Sequence, residues 1–234
     1  MNIRVRFRKY GVLKFIGHLD VMRYFQKAIR RADIDICYSE GYSPHMIMSF
    51  ASPLGLGLES DGEYMDIRIH GSISSEEAVR RLNAVMVEGI DVMSFRELPE
   101  NSKNAMASVA AADYEVRFRE GCAPEDGWKE KFTEFLAQPE MRIVKETKKG
   151  QQELDIRPWI YSWEIVDDMI KMQVSAGSVH NLKPEMVLKA FAEHIGWEMP
   201  QFALLVTRRE MYADQGTEEA RKLVSLESLG EEIG

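Results

Sequence analysis

Three observations predict an α+β protein that contains two similar units in tandem. Short segments alternate apolar with polar residues, as Ile3, Val5 and Phe7 alternate with arginines, which is typical of half-buried strands. Helical patterns of period 3.6 separate these segments. The order strand, helix, strand, strand, helix, strand occurs twice, and the stretch Val-Arg-Phe-Arg occurs at Val5–Arg8 and again at Val116–Arg119. This order predicts tandem ferredoxin-like (βαββαβ) units with antiparallel sheets.

The first unit is predicted to span residues 1–98. Its expected elements are a strand at residues 3–8, a helix at 17–32, a short strand at 46–51, a strand at 64–69, a helix opened by a Ser74–Glu77 capping box, and a strand at 92–98. In the first helix, an apolar arc that contains Phe25 and Ile29 opposes an arc rich in arginine.

The second unit is predicted to span residues 113–213, after a small and polar linker at 99–112. Its expected elements are a strand at 114–119, a helix at 124–137, strands at 142–145, 153–157, 160–165 and 169–174, a helix at 184–195, and a strand at 202–207. These strands exceed the four of one ferredoxin-like unit, so we expect an extra hairpin. Residues 214–234 are acidic with little to bury, and we expect a loose helix or disorder there.

Composition places the chain among soluble globular proteins, with 45% hydrophobic and 29% charged residues. No apolar run has the roughly 20 residues that cross a bilayer, and the first residues do not resemble a secretory signal. Cys37 and Cys122 are distant from each other, which fits a reducing compartment. We therefore expect a cytoplasmic protein with no membrane partner.

Positive charge is concentrated near the beginning of the chain. The net charge is −8, yet residues 1–31 contain nine Lys or Arg and one acidic residue. Because the apolar side of the first strand should face the helices, its arginines should lie on the open face of the sheet beside the third strand. The predicted RNA-binding residues are Arg4, Arg6, Arg8, Arg23, Lys27, Arg30, Arg31, Tyr64 and Arg68.

Such a surface suits a phosphodiester backbone, because arginine offers bidentate contacts to phosphate and a plane for stacking on bases. Cross-strand pairing of Arg with Asp, contact with the second unit, and binding of another anion are the alternatives. The stretch Glu63–Ile69 lacks the Gly-aromatic pattern of ordinary RNA-recognition motifs, so RNA would bind in another manner.

His18 and His45 are the candidate catalytic residues. Two histidines near a glycine-containing loop could cleave RNA by acid–base chemistry. However, His18 lies at the centre of the apolar arc, which favours a packing role. The chain has no CxxC or HxxxH spacing and no P-loop or dinucleotide fingerprint, so we predict no metal and no cofactor.

Residues 15–66 resemble a radical-SAM-linked family of bacterial proteins of unknown function, and later segments at 153–160 and 204–212 are also similar. The matching residues are Phe15, Ile16, His18, Leu19, Asp20, Arg23, Arg30, Arg31, Gly41, Tyr42, Ser43, Pro44, His45, Pro53, Leu54, Gly55, Glu63 and Asp66. The chain departs from the family pattern at Gly17, where Ser is usual.

The resemblance implies a partner, because family members are fused to, or encoded beside, a radical-SAM protein with a cobalamin-type domain. The chain cannot be the radical enzyme itself, since an iron–sulfur cluster needs three nearby thiolates and the two cysteines are far apart. We therefore expect an RNA-binding, substrate-presenting partner of a radical-SAM enzyme in RNA modification. A metal-independent endoribonuclease using His18 and His45, and a protein-only scaffold, remain the alternatives.

Overall fold

A computed structural model describes residues 1–147, 150–217 and 220–234. The chain forms two compact units, of which the first comprises Met1–Ala111 with Arg208–Gly234 and the second comprises Ala112–Thr207. The first unit therefore contains both ends of the chain, in contrast to the predicted division at residues 98 and 113. Within the described ranges, no helix has the length and apolar character that crossing a membrane requires.

Strands and short helices alternate along the chain. The strands are β1 (Asn2–Lys9), β2 (Met48–Phe50), β3 (Glu59–Arg68), β4 (Ile90–Glu97), β5 (Val109–Phe118), β6 (Arg142–Thr147), β7 (Gly150–Asp155), β8 (Ile160–Val166), β9 (Met169–Ser175), β10 (Leu204–Asp214), β11 (Leu223–Ser225) and β12 (Glu231–Glu232). The α-helices are α1 (His18–Arg31), α2 (Ser75–Asn83), α3 (Ala105–Ser108), α4 (Trp128–Leu136) and α5 (Pro184–His194). Short 3-10 helices lie at Gly11–Phe15, Arg157–Trp159 and Leu226–Leu229.

The first unit has the predicted ferredoxin-like topology. Its strand β1 lies between β3 and β4 and is antiparallel to both, and β2 is antiparallel to β3. The first and third strands are thus central, as predicted. In the β1–β3 register Arg4 lies opposite Asp66 and Arg6 opposite Tyr64, so these four side chains share one face of the sheet.

Helices α1 and α2 cover the other face of this sheet. The apolar side chains of β1 are fully buried there, and Phe7 contacts the rings of Phe25 from α1 and Phe50 from β2. One half of the predicted capping box is present, because the Ser74 side chain accepts a hydrogen bond from the Glu77 N–H, whereas the Glu77 carboxylate pairs with Arg80 and Arg81. The amphipathic patterns of β1 and α1 therefore predict correctly which side chains form the core of the first unit.

Strand β10 joins the first unit beside β3, on the edge that β2 also uses. A β-carbon at Gly62 would lie 2.7 Å from the carbonyl oxygen of Arg209, so glycine allows the two backbones to approach closely. The predicted last strand ends at residue 207, whereas β10 continues to Asp214.

The C-terminal segment, defined here as residues 215–234, is ordered, and the expected disorder or loose helix is wrong for its described residues. Strand β11 pairs with β10, and β12 pairs with β4 at the opposite edge of the sheet. Between them Leu226 is fully buried. The Ser75 hydroxyl accepts from the Ile233 N–H, and the Ile233 carbonyl accepts from the Ser75 N–H. These few apolar residues are surrounded by acidic ones, so the composition of the segment does not indicate that it is anchored.

The predicted linker at 99–112 belongs to the first unit up to Ala111. Asn104 caps α3 by accepting a hydrogen bond from the Ala107 N–H. The Ala105 side chain is fully buried, and its N–H donates to Asp66 at 2.6 Å. Small residues here allow close packing, although they resemble a flexible linker in composition.

The second unit repeats the topology, with strand order β10, β5, β9 and β8 and helices α4 and α5. The predicted extra hairpin is present as the antiparallel pair β6–β7, which forms a sheet of its own. Phe132 of α4 and Phe191 of α5 pack edge to face with ring centroids 4.9 Å apart. The predicted fold class, with its extra hairpin, is therefore confirmed.

We expect Leu226→Ala to lower the free energy of unfolding by about 2–5 kcal/mol, because it removes a fully buried side chain and leaves a cavity. Urea denaturation followed by circular dichroism measures the change. Leu56→Ala is the matched control, since Leu56 is 66% exposed and its truncation should change stability by less than about 0.5 kcal/mol. Equal effects of the two substitutions would contradict the anchoring role of Leu226.

Candidate functional site

The arginine face of β1 is not open, and the expectation of exposed guanidinium groups is wrong for Arg4. This side chain is 1% exposed. Its Nε and Nη2 donate to the two carboxylate oxygens of Asp66 at 2.9 Å each, and its Nη1 donates to the Leu226 carbonyl at 3.1 Å. The guanidinium group is therefore occupied within the protein and is not offered to a partner.

Arg6 is held between two carboxylates that come from the end of the chain. It lies 3.2 Å from Glu210 and 2.9 Å from Glu227. Tyr64, which was expected to offer an aromatic surface to RNA, is 1% exposed and donates to Glu210 at 2.6 Å. Burial, followed by the neighbouring carboxylate of Glu210, raises the pKa of the Tyr64 phenol, which stays a neutral donor. Burial likewise raises the pKa of the Glu210 carboxyl.

Arg8 is half exposed, and its Nε donates to Asp61 at 2.9 Å. Asp61 also pairs with Arg209 of β10. Cross-strand pairing with carboxylates, one of the alternatives for the arginine strand, is thus the arrangement found. The pattern of β1 alone does not show that β10 and the C-terminal segment supply acids to this face.

The α1 basic surface, defined as Arg23, Lys27, Arg30 and Arg31, consists of four exposed side chains in the C-terminal part of the helix. Arg23 lies 3.7 Å from Asp20, which is also exposed. In the part of the chain that the structure describes, no carboxylate forms an ion pair with Lys27, Arg30 or Arg31. This surface therefore keeps the positive charge that the sequence predicts for the beginning of the chain.

The two candidate catalytic histidines have different surroundings. The His18 ring packs edge to face on Phe50, with centroids 5.0 Å apart, which is the packing role that its place in the apolar arc favours. His45 is exposed, and its Nδ1 lies 2.8 Å from the Ser39 hydroxyl. The described residues contain no cluster of His, Cys, Asp or Glu suited to a metal ion. His18, Asp20 and His45 thus share no metal site there.

A cavity of about 340 Å³ brings together three of the predicted residues, His45, Asp66 and Arg68. It lies in the first unit beside β2 and the end of β3. Its other lining residues are Asn2, Met46, Ile47, Met48, Ser49, Ile67, Leu98, Ser102 and Asn104. His18 does not line it. The sequence did not indicate the contribution of residues 98–104, because that stretch reads as the end of a strand followed by a linker.

The turn before His45 explains several of the remaining motif residues. Gly41 has a φ of 107°, a value that side chains rarely allow. Tyr42 and Pro44 are exposed, and the Ser39 N–H donates to the His45 carbonyl across the loop. Gly55 lies in a second loop, where the Gly57 N–H donates to the Lys14 carbonyl. Gly41 and Gly57, which both have a positive φ, shape these loops, and no phosphate cradle is needed to account for them.

Comparison with protein families assigns the chain. The family model DUF2344, described as an uncharacterized protein conserved in bacteria, matches residues 2–184. The chain belongs to this family.

Among solved structures, this DUF2344 protein is similar to a chain in the crystal structure of a Cbf5-Nop10-Gar1 complex, with 12% identity and a TM-score of 0.46. That match covers 89% of the DUF2344 chain, which spans only 48% of the other chain. A second similar structure contains the first two RRM domains of the yeast poly(U) binding protein Pub1, with 11% identity and a TM-score of 0.22. That match covers 89% of the DUF2344 chain and 98% of the Pub1 chain. No curated protein matches the chain. Because both TM-scores are low, nothing about function follows from these two similarities.

The DUF2344 protein also contains a buried charge network that the sequence analysis missed. Arg208 of β10 donates to Glu63 of β3 at 2.6 and 2.8 Å, and both side chains are almost fully buried. Lys9, equally buried, donates to the carbonyls of Lys14 and Ile16. Burial lowers the pKa of Lys9, although Glu63 opposes the shift. The alternation of β1 places Lys9 in phase with Phe7, and that signal could have revealed its burial.

We expect Glu63→Ala to destabilise the protein by about 3–5 kcal/mol, because it leaves the buried Arg208 guanidinium without its carboxylate. Equilibrium denaturation in guanidinium chloride measures the loss. The matched control on the same strand is Glu59→Ala, which breaks a partly exposed pair with Lys14 and should cost less than about 1 kcal/mol. A Glu63→Ala protein as stable as the control would show that the buried pair is not required.

Proposed function

We propose that this protein binds RNA through the α1 basic surface. One observation carries the proposal: Lys27, Arg30 and Arg31 are exposed and have no carboxylate partner among the described residues, whereas Arg4, Arg6 and Arg8 are each paired with one. The arginines of the strand support the fold, and the cations of the helix remain available to an anionic partner. Of the predicted RNA-binding residues, the proposal therefore keeps those of α1 and leaves out those of β1.

The geometry of α1 suits a phosphate backbone. Arg23 and Arg31 are separated by about 12 Å along the helix axis, since each residue rises about 1.5 Å. That length matches about three to four nucleotides of a duplex strand at roughly 3.4 Å each. Guanidinium groups in such a row offer bidentate contacts to successive phosphates. Since the rest of the chain is acidic, the contact would be confined to this surface.

The family resemblance supports a biological role for this RNA binding. In that role, the protein presents RNA to a radical-SAM enzyme, which modifies it. In that proposal the two proteins form a complex and the radical chemistry belongs to the partner. Co-purification of the protein with a radical-SAM protein of the kind that the resemblance implies, before and after nuclease treatment, tests the partnership. If the two proteins co-purify neither before nor after nuclease treatment, the partnership is rejected, whereas the RNA-binding proposal is unaffected.

We expect the double substitution Lys27→Ala with Arg30→Ala to weaken RNA binding and to flatten its dependence on salt. The slope of log K against log salt should fall by about 1.4, because each phosphate of a single strand that the protein neutralises contributes roughly 0.7. Fluorescence anisotropy with a labelled single-stranded RNA, at several salt concentrations, measures both quantities.

The control is Arg80→Ala with Arg142→Ala, which removes the same charge from two exposed arginines that are paired with Glu77 and Glu140. If both double variants reduce the slope equally, binding depends on net charge alone and the α1 basic surface is the wrong site. Cleavage of the RNA that depends on His45 would instead favour the endoribonuclease alternative. Retention of an acidic protein without RNA would favour the scaffold.

A further inference from the structure

The cavity beside β2 is separate from the α1 basic surface, since none of that surface's residues lines it. Its lining contains one arginine, one carboxylate, several neutral hydrogen-bonding groups, and apolar side chains, which are Met46, Ile47, Met48, Ile67 and Leu98. Its volume of about 340 Å³ lies at the small end of the range for small-molecule sites.

Arg68 supplies the uncompensated charge of this cavity. Its Nε donates to the Asn2 side-chain oxygen at 3.1 Å, and no carboxylate of the described residues pairs with its guanidinium group. Asp66 also lines the cavity, but its two oxygens already accept from Arg4 and from the Ala105 N–H. The cavity therefore favours an anionic group, to which the Arg68 guanidinium can offer its two remaining nitrogens.

His45 provides a second polar group at the cavity. Its Nδ1 lies 2.8 Å from the Ser39 hydroxyl, which leaves Nε2 as the ring nitrogen without a partner in the described ranges. The Ser43 carbonyl also lies 3.4 Å from Nδ1. In the neutral ring, Nε2 is a donor when Ser39 donates to Nδ1, and it is an acceptor when Nδ1 donates to the Ser43 carbonyl.

The neutral groups suit the edge of a nucleobase. The side-chain oxygens of Asn2 and Asn104 already accept from Arg68 and from the Ala107 N–H, so their amide nitrogens remain as donors. The lining residues Ser49 and Ser102 have hydroxyl groups, which both donate and accept. Apolar lining residues such as Met48 can contact the faces of a base, which pack favourably against apolar surfaces.

We propose that this cavity binds a single nucleoside monophosphate, with its phosphate on the Arg68 guanidinium group and its base against the residues of β2. The Arg68 guanidinium group can bind one phosphate, and the other lining residues form a space whose size and polarity suit one base. The nucleotide comes either from solution or from the end of an RNA strand. The inference does not depend on the α1 basic surface and stands if that surface fails its salt test.

Isothermal titration of the full chain with AMP, GMP, CMP and UMP, and with the four nucleosides, tests the proposal. We expect at least one monophosphate to bind, with its nucleoside at least about tenfold weaker because it lacks the charge-assisted contact to Arg68. Arg68→Ala should weaken the monophosphate by a similar factor. Arg68→Lys should restore part of the affinity, because it keeps the charge and loses the bidentate fork.

Arg80→Ala is the control, since Arg80 is an exposed arginine of α2 that does not line the cavity. Thermal melting of each variant verifies that it is folded. A 5′-phosphorylated dinucleotide that binds more tightly than the monophosphate, and that also depends on Arg68, would identify an RNA end as the source. Equal affinities would identify the free nucleotide. Absence of binding by all four monophosphates at millimolar concentration, or unchanged affinity in folded Arg68→Ala, would overturn the proposal.

Discussion

The bidentate pair between Arg4 and Asp66 is the interaction on which the first unit depends. A buried guanidinium group is tolerated only when its donors are satisfied, and Arg4 achieves this with one carboxylate and the Leu226 carbonyl. The same Asp66 also accepts from the Ala105 N–H. One carboxylate thus connects the central strand to the segment after β4, while the guanidinium group connects that strand to the end of the chain.

The arrangement of charge explains why two arrays of cations in neighbouring elements have different roles. The arginines of β1 face carboxylates from β3, β10 and the 3-10 helix at Leu226–Leu229, so their charge is neutralised within the protein. Cations on α1 face water, because the helix buries its apolar arc and turns the opposite arc outward. Similar residue types are therefore paired with carboxylates in one element and exposed to water in the next.

Sequence patterns within single elements predicted most of the fold. The site was predicted less well, because its side chains pair with residues that are distant in the sequence. Alternation in β1, the apolar arc of α1 and the Ser74 cap are properties of short segments, and each prediction agrees with the structure. The burial of Arg4 depends on Leu226, which is 222 residues away in sequence. No pattern within β1 indicates which distant carboxylate or carbonyl will satisfy it, whereas the phase of Lys9 with Phe7 was available and was overlooked.

The discontinuous composition of the first unit has a consequence for biosynthesis. Its sheet is completed by Arg208–Gly234, whereas the second unit is a single stretch from Ala112 to Thr207. During translation, β1 is made before β10 and the C-terminal segment, so Arg6 can meet Glu210 and Glu227, and Arg4 the Leu226 carbonyl, only after those later residues have left the ribosome. The inserted domain can mature first, so the order of folding on the ribosome would be the reverse of the order of the units in the gene.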